Sequence, residues 1–244
     1  MKDKWLYERF VAHRGLHGGE IKQNTMQAFE NAIKNGFNIE LDVQLTQDKV
    51  PVVFHDLHLN DLTDCEKDVR DLTLQELKNV RYKNSTAGIP TLLEVLELCE
   101  GKTGLMIEFK KLSVDEQNYE LEDIVLPMLK SYKGEFIVKS FNPFSVDYFR
   151  THAPELTRGF LSDALKIQDY PETARQLVSE LVTDTEKRVD FFDFGIGRLD
   201  SSEFLQSVEG TMPLFVWTVR SQETYEKIKH RADNIIFEGF IPVR

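Results

Sequence analysis

Short apolar runs of strand length alternate with amphipathic stretches of helical period through most of this 244-residue chain. The candidate strands are Arg9–Ala12, Asn38–Val43, Val50–Phe54, Gly104–Phe109, Glu135–Val138, Thr157–Leu161, Phe191–Phe194, Pro213–Thr218 and Asn234–Phe237. Candidate helices fall between most of them, at Thr25–Asn35, Thr91–Glu100, Gln117–Tyr132, Pro143–His152, Pro171–Thr183, Ser201–Val208 and Gln222–Arg231. Strands that alternate with helices build βαβ units, and these build a parallel sheet. The expected fold is a single (β/α)8 TIM barrel forming one domain over residues 1–244, a common length for that architecture. A doubly wound open sheet is the structural alternative, but no G-x-G-x-x-G fingerprint supports it.

Nine runs must be fitted to eight barrel positions. Only LTQDK separates the Asn38–Val43 and Val50–Phe54 runs, too little for a parallel crossover helix. A local rise-and-return or an irregular strand pair is expected there. The segment Asp56–Gly88 is rich in Asp, Lys and Asn and has one short helical pattern, Thr73–Val80. It reads as a small insertion over the mouth of the barrel, placed to contact the substrate.

Charges occur where strands should be apolar. Residues two apart on a strand share a face, so Glu40 and Asp42 point one way while Ile39, Leu41 and Val43 point the other. Glu108 and Lys110 repeat the pattern, opposite Ile107 and Phe109. An isolated carboxylate inside a barrel is very costly unless it is paired or binds a metal. Three carboxylates suit a hard divalent cation that takes oxygen ligands. The alternatives are an amphipathic strand with a wet face, or an internal network of lysine–carboxylate salt bridges.

His13 follows Phe10-Val11-Ala12, and His55 follows Val52-Val53-Phe54. Both stand at C-terminal strand ends, where barrel active sites are assembled, and together they suit a general acid–base pair. Arg14 offers a fork for a phosphate, Lys110 a point charge, and Gly15 close backbone approach. His17, His58, His152 and His230 read as solvated, with His17 and His58, which flank the two key sites, the ones placed to touch substrate.

The net charge of −11 speaks against nucleic acid or an anionic membrane as partner, because both need a basic field. No apolar run has the length of a signal peptide or a membrane span, and two cysteines, Cys65 and Cys99, form no disulfide framework. The expected location is cytoplasmic, without stable membrane insertion.

His13-Arg14-Gly15, Asn24-Thr25, Glu40-Leu41-Asp42, His55-Asp56 and Glu108-Phe109-Lys110 come in an order and spacing that resembles the glycerophosphodiester phosphodiesterase family. Ser140-Phe141-Asn142-Pro143 and Trp217-Thr218-Val219 extend the resemblance to about residues 10–239. It implies a TIM barrel that hydrolyses small glycerophosphodiesters to sn-glycerol 3-phosphate and an alcohol. By the same resemblance Glu40, Asp42 and Glu108 match ligands of Mg²⁺ or Ca²⁺, and His13 and His55 the acid–base pair. Arg14 and Lys110 match phosphate contacts, and Trp217 an aromatic near the glycerol end. Three positions depart from the family pattern: Gln23 replaces Glu, Arg220 replaces Asn after Trp-Thr-Val, and Ile236-Phe237-Glu238 replaces an Ile-Thr-Asp type segment. A phospholipase-type diesterase acting on lysophospholipids is the rival enzyme, and a barrel that only binds phosphoesters the rival without catalysis.

Overall fold

The computed structural model describes residues 3–163, 169–200, 205–206 and 210–244. Among the described residues nine strands run in chain order: β1 (Val11–Ala12), β2 (Asn38–Leu45), β3 (Pro51–Val53), β4 (Leu105–Phe109), β5 (Phe136–Ser140), β6 (Arg158–Ser162), β7 (Phe191–Gly195), β8 (Leu214–Val219) and β9 (Asn234–Phe237). All but β3 pair in parallel, and β1 closes the sheet by pairing with both β9 and β2. The result is the eight-stranded parallel barrel that the alternation predicts. The ninth run resolves as a hairpin, with β3 antiparallel to β2 through Val43↔Val53 and Leu45↔Pro51.

Helices α1 (Trp5–Glu8), α2 (Met26–Lys34), α3 (Leu74–Leu77), α4 (Leu92–Cys99), α5 (Glu120–Ser131), α6 (Pro143–His152), α7 (Glu172–Thr183) and α8 (Gln222–Ile228) complete the named elements. Several of their starts follow capping chemistry. Thr91 and Glu94 form a capping box at α4, and Asn142 accepts from the Phe144 and Ser145 amides at α6, with Pro143 at the first helical position. The helix expected over Ser201–Val208 lies largely outside the described residues.

Outward-facing strand residues such as Ile39, Leu41, Val43, Ile107 and Phe109 pack under the helices. The inward set at the opposite end, Val11, Met106, Ile137, Phe191, Phe215 and Ile236, forms a second core with Trp5 and Leu6. Helix α1, which the sequence reading did not anticipate, therefore plugs the N-terminal mouth. Two of its carbonyls are bound by asparagines that open strands: Asn38 Nδ2 donates to Trp5 O at 3.0 Å, and Asn234 Nδ2 donates to Leu6 O. A Cβ on Gly104 would lie 2.0 Å from the Trp5 ring, so only glycine admits the plug.

The insertion corrects an expectation. Val52 and Phe54 pack with Leu59, Val69, Leu72, Leu77, Tyr82 and Ile89 in a small core of its own. No residue of 56–88 lines the cleft described below. Its apolar side chains anchor it against the hairpin, while its first residue, Asp56, bonds the cleft histidine His55.

Candidate active site

A cleft of about 440 Å³ opens at the C-terminal end of the barrel, and His13, Arg14, Glu40, His55, Glu108, Lys110 and Trp217 all line it. Asp42 lies buried beneath, so the structure brings every site residue expected from the sequence to one place. Asp42 and Glu108 are register partners on adjacent strands. One ligand atom each from Glu40, Asp42 and Glu108 lie within 4.8 Å of one another.

Short-range bonds fix each carboxylate. Glu40 Oε2 accepts from the Arg14 amide at 3.0 Å, and Asp42 Oδ2 accepts from Asn24 Nδ2 at 2.8 Å. Both donors belong to residues with left-handed backbones, Arg14 at φ +54° and Asn24 at φ +53°. Gly15, at φ +80°, would place a Cβ 2.8 Å from Ala28 Cβ. Its close approach is thus to α2, whereas a ligand was the expected neighbour. Lys110 Nζ bonds Glu108 Oε1 at 2.7 Å and lies 3.5 Å from Asp42 Oδ1.

Burial pushes the Asp42 carboxyl up, but the charges of Lys110, His55 and Arg14 and the Asn24 bond outweigh it and hold Asp42 well below the usual carboxylate range. Burial pulls Lys110 down, and Glu108 and Asp42 reverse that, so its ammonium is raised. Asp42 Oδ1 is buried and accepts no hydrogen bond. An orphaned oxygen beside two further carboxylates is a donor set fitted to a hard cation.

Two interior charges were missed. Lys139 Nζ, fully buried, sits 2.7 Å from Asp193 Oδ2 and 3.3 Å from Glu40 Oε1. Burial lowers its pKa, and Asp193, Glu40 and Glu108 more than restore it, so Lys139 stays cationic. A lysine–carboxylate network and a potential cation site thus share the same carboxylates.

Each cleft histidine carries a carboxylate on Nδ1. His13 Nδ1 lies 2.5 Å from Glu238 Oε2, and His55 Nδ1 lies 2.6 Å from Asp56 Oδ1. An ionised carboxylate only accepts, so Nδ1 carries the proton and Nε2 is left for the cleft. The His55 bond is the main cause of the lowered Asp56 pKa. Buried Gln44 pins this turn by donating to Phe54 O at 2.7 Å and Asp56 O at 2.9 Å.

His17 is not solvated as expected: it is 20% exposed, with Nε2 at 3.6 Å from Glu238 Oε2. His152 is exposed, as expected, with its ring stacked on Tyr148 at 4.1 Å, and His58 is 69% exposed, as expected. Trp217 stands edge-on to Phe141, centroids 5.6 Å apart, and donates to Asp193 O at 3.2 Å. The Ser140–Pro143 motif has a structural use: Asn142 Nδ2 donates to Ser113 O and Glu116 O, each at 2.9 Å, and holds the loop that walls the cleft.

The sequence pattern of the glycerophosphoryl diester phosphodiesterase family matches residues 13–241. A glycerophosphodiester phosphodiesterase of Caldanaerobacter subterraneus subsp. tengcongensis is 34% identical over 241 residues, covering 93% of this chain and 92% of that protein. The solved glycerophosphodiester phosphodiesterase of Thermotoga maritima superposes with a TM-score of 0.72 at 28% identity, covering 94% of each chain. An Oleispira antarctica phosphodiesterase, solved with its product sn-glycerol-3-phosphate, shares the fold at 22% identity and a TM-score of 0.76, over 94% of this chain and 92% of that one. With the family pattern matched over residues 13–241 and a relative 34% identical over nearly the whole length, the chain belongs to the glycerophosphoryl diester phosphodiesterase family.

Proposed function

We propose that this enzyme hydrolyses small glycerophosphodiesters to sn-glycerol 3-phosphate and an alcohol, in a metal-dependent reaction that uses His13 and His55 as acid and base. The observation that carries the proposal is the buried trio Glu40, Asp42 and Glu108, with its orphaned Asp42 oxygen, under a cleft lined by both histidines. These three residues would hold Mg²⁺ or Ca²⁺, which when bound supplies a Lewis acid for charge developing on a phosphoryl oxygen. Arg14 and Lys110 bind the phosphate, where fixed charge in a partly dry cleft counts for more than in water. One imidazole Nε2 takes the proton of the nucleophile, and the other gives one to the leaving oxygen. The nucleophile is water or the substrate's own glycerol hydroxyl. Trp217, with Phe141 against it, offers an apolar face to the glycerol carbons.

The domain is taken to extend over residues 1–244, because Trp5 and Leu6 belong to the barrel core. Cytoplasmic residence is part of the proposal and is supported by the free thiols of Cys65 and Cys99. No helix among the described residues is long and apolar enough to cross a membrane.

A second reading, activity on lysophospholipids, is favoured by Leu112, which lines the cleft and is 53% exposed, near Val114 and Leu161. Assays of glycerophosphocholine, glycerophosphoethanolamine and a lysolipid, in chelator and then with added Mg²⁺ or Ca²⁺, test both. Loss of turnover in chelator and its return with either cation is expected. Full activity in excess chelator would refute the metal dependence, and a dominant lysolipid rate would replace the first substrate class with the second.

A further inference from the structure

Strands β8, β9 and β1 are neighbours in the barrel, so the residues that follow them stand side by side on its rim. Those residues are Arg220, Glu238 and His13. Their side chains form one line of contacts. Arg220 Nε donates to Glu238 Oε1 at 2.7 Å, and Glu238 Oε2 meets His13 Nδ1 at 2.5 Å. Arg220 and Glu238 are also two of the three sites where this sequence departs from the family pattern. Two departures that meet each other and end on a cleft histidine are more simply one device than two accidents.

We infer that Glu238 and Arg220 are positioning residues for His13, with Glu238 fixing the orientation and tautomer of the imidazole and Arg220 fixing Glu238. The inference rests on the reading of His13 as a proton-transfer group. A Glu has one more rotatable bond than the Asp typical of this position, and ordering it costs side-chain entropy. Arg220 offsets that freedom by engaging the second carboxylate oxygen, leaving Oε2 aimed at Nδ1. The guanidinium is planar and donates directionally, which an Asn at position 220 would reproduce without charge and with shorter reach. His17, 3.6 Å from Oε2, flanks the same carboxylate. The bonds from His13 and then His17 hold the Glu238 carboxyl well below the usual range, so it stays an acceptor. Arg220 is 64% exposed and does not line the cleft. An ion pair that exposed adds little stability, so its effect should be read in turnover and not in melting temperature.

The test is a kinetic double-mutant cycle of wild type, Glu238→Gln, Arg220→Asn and the double variant, with Ala replacing His13 as reference. The substrate is glycerophosphocholine at saturating Mg²⁺. Glu238→Gln should lower kcat about tenfold to hundredfold, part of what a general acid or base contributes, with little change in KM. Arg220→Asn should lower kcat a few-fold with Tm unchanged, and should have no further effect once Glu238 is Gln, because it acts only through that carboxylate. Wild-type turnover in Glu238→Gln would overturn the inference, as would an Arg220→Asn effect that falls on KM or persists undiminished in the Gln background. Should His13→Ala itself retain wild-type rates, the acid–base reading fails first. If His13→Ala is inactive while both rim variants are normal, the positioning claim alone fails.

Discussion

Lys139→Met is the sharpest test of how the interior tolerates its charges. The lysine is 3% exposed and bonds Asp193 at 2.7 Å, with Glu40 at 3.3 Å. Methionine keeps the length of the stem and removes the charge, which leaves Asp193 buried without its cation and close to the carboxylates of Glu40 and Glu108. Breaking one side of a buried pair costs roughly 3–5 kcal/mol, because the remaining charge is left uncompensated. At about 2–4 °C per kcal/mol for a chain of this size, Tm should fall by roughly 6–20 °C. The melt is followed by calorimetry in chelator, so that no cation takes over the neutralising role. Asp193→Asn added to Lys139→Met should recover a large part of the loss, since it removes the stranded charge. Glu40 keeps the Arg14 amide at 3.0 Å in either variant. A Lys139→Met protein that melts within about 2 °C of wild type would refute the reasoning, because a break of a buried pair predicts several times that shift. So would a double variant no more stable than the single one.

Two further outcomes follow from the geometry. Gln23 Oε1 accepts from Arg14 Nη1 at 3.0 Å, so Gln23→Glu should draw the guanidinium from the phosphate. It should raise KM about two- to fivefold, the scale of a partly exposed ion pair, with the rise shrinking at high salt; an unmoved KM would show that Arg14 does not hold substrate. Trp5→Ala should cost roughly 3–5 kcal/mol by opening the bottom of the barrel, seen as a lowered Tm with unchanged kcat at 25 °C. Loss of kcat in a folded Trp5→Ala protein would contradict the separation of plug from site.

The barrel was legible because its signal is local. Asn234–Phe237 and Pro143–His152 match the observed elements residue for residue, since an apolar run or a capped amphipathic turn carries its own boundaries. The plug helix was not legible: four residues, Trp5–Glu8, are too few to display a period. The insertion misled because its composition is polar while its few apolar residues, at irregular spacing, do the packing. Composition reports the average surface of such a segment and says nothing of which side it turns inward.

The candidate site divides along the same line, and the division has a physical origin. Glu40, Asp42, Glu108 and Lys110 could be found because the two-residue strand period places each pair on one face within a single segment. Lys139 and Asp193 obey the same period on β5 and β7. Yet Lys139 fell just beyond the strand as read from Glu135–Val138, and Asp193 was masked by Phe191, Phe192 and Phe194. Even with both noticed, their bond joins residues 54 apart, and Glu238 meets His13 across 225 residues. Those contacts exist only once the sheet has closed. A sequence therefore reveals the groups that perform chemistry more readily than the groups that make their burial tolerable. The second set is what a folded barrel must have in place before a cation arrives. Within the buried network beneath the histidines, the carboxylates of Glu40, Asp42, Glu108 and Asp193 face Lys110, Lys139 and Arg14, one cation short of balance. A divalent ion would turn that deficit into a single excess positive charge, the sign needed to receive a singly charged phosphodiester.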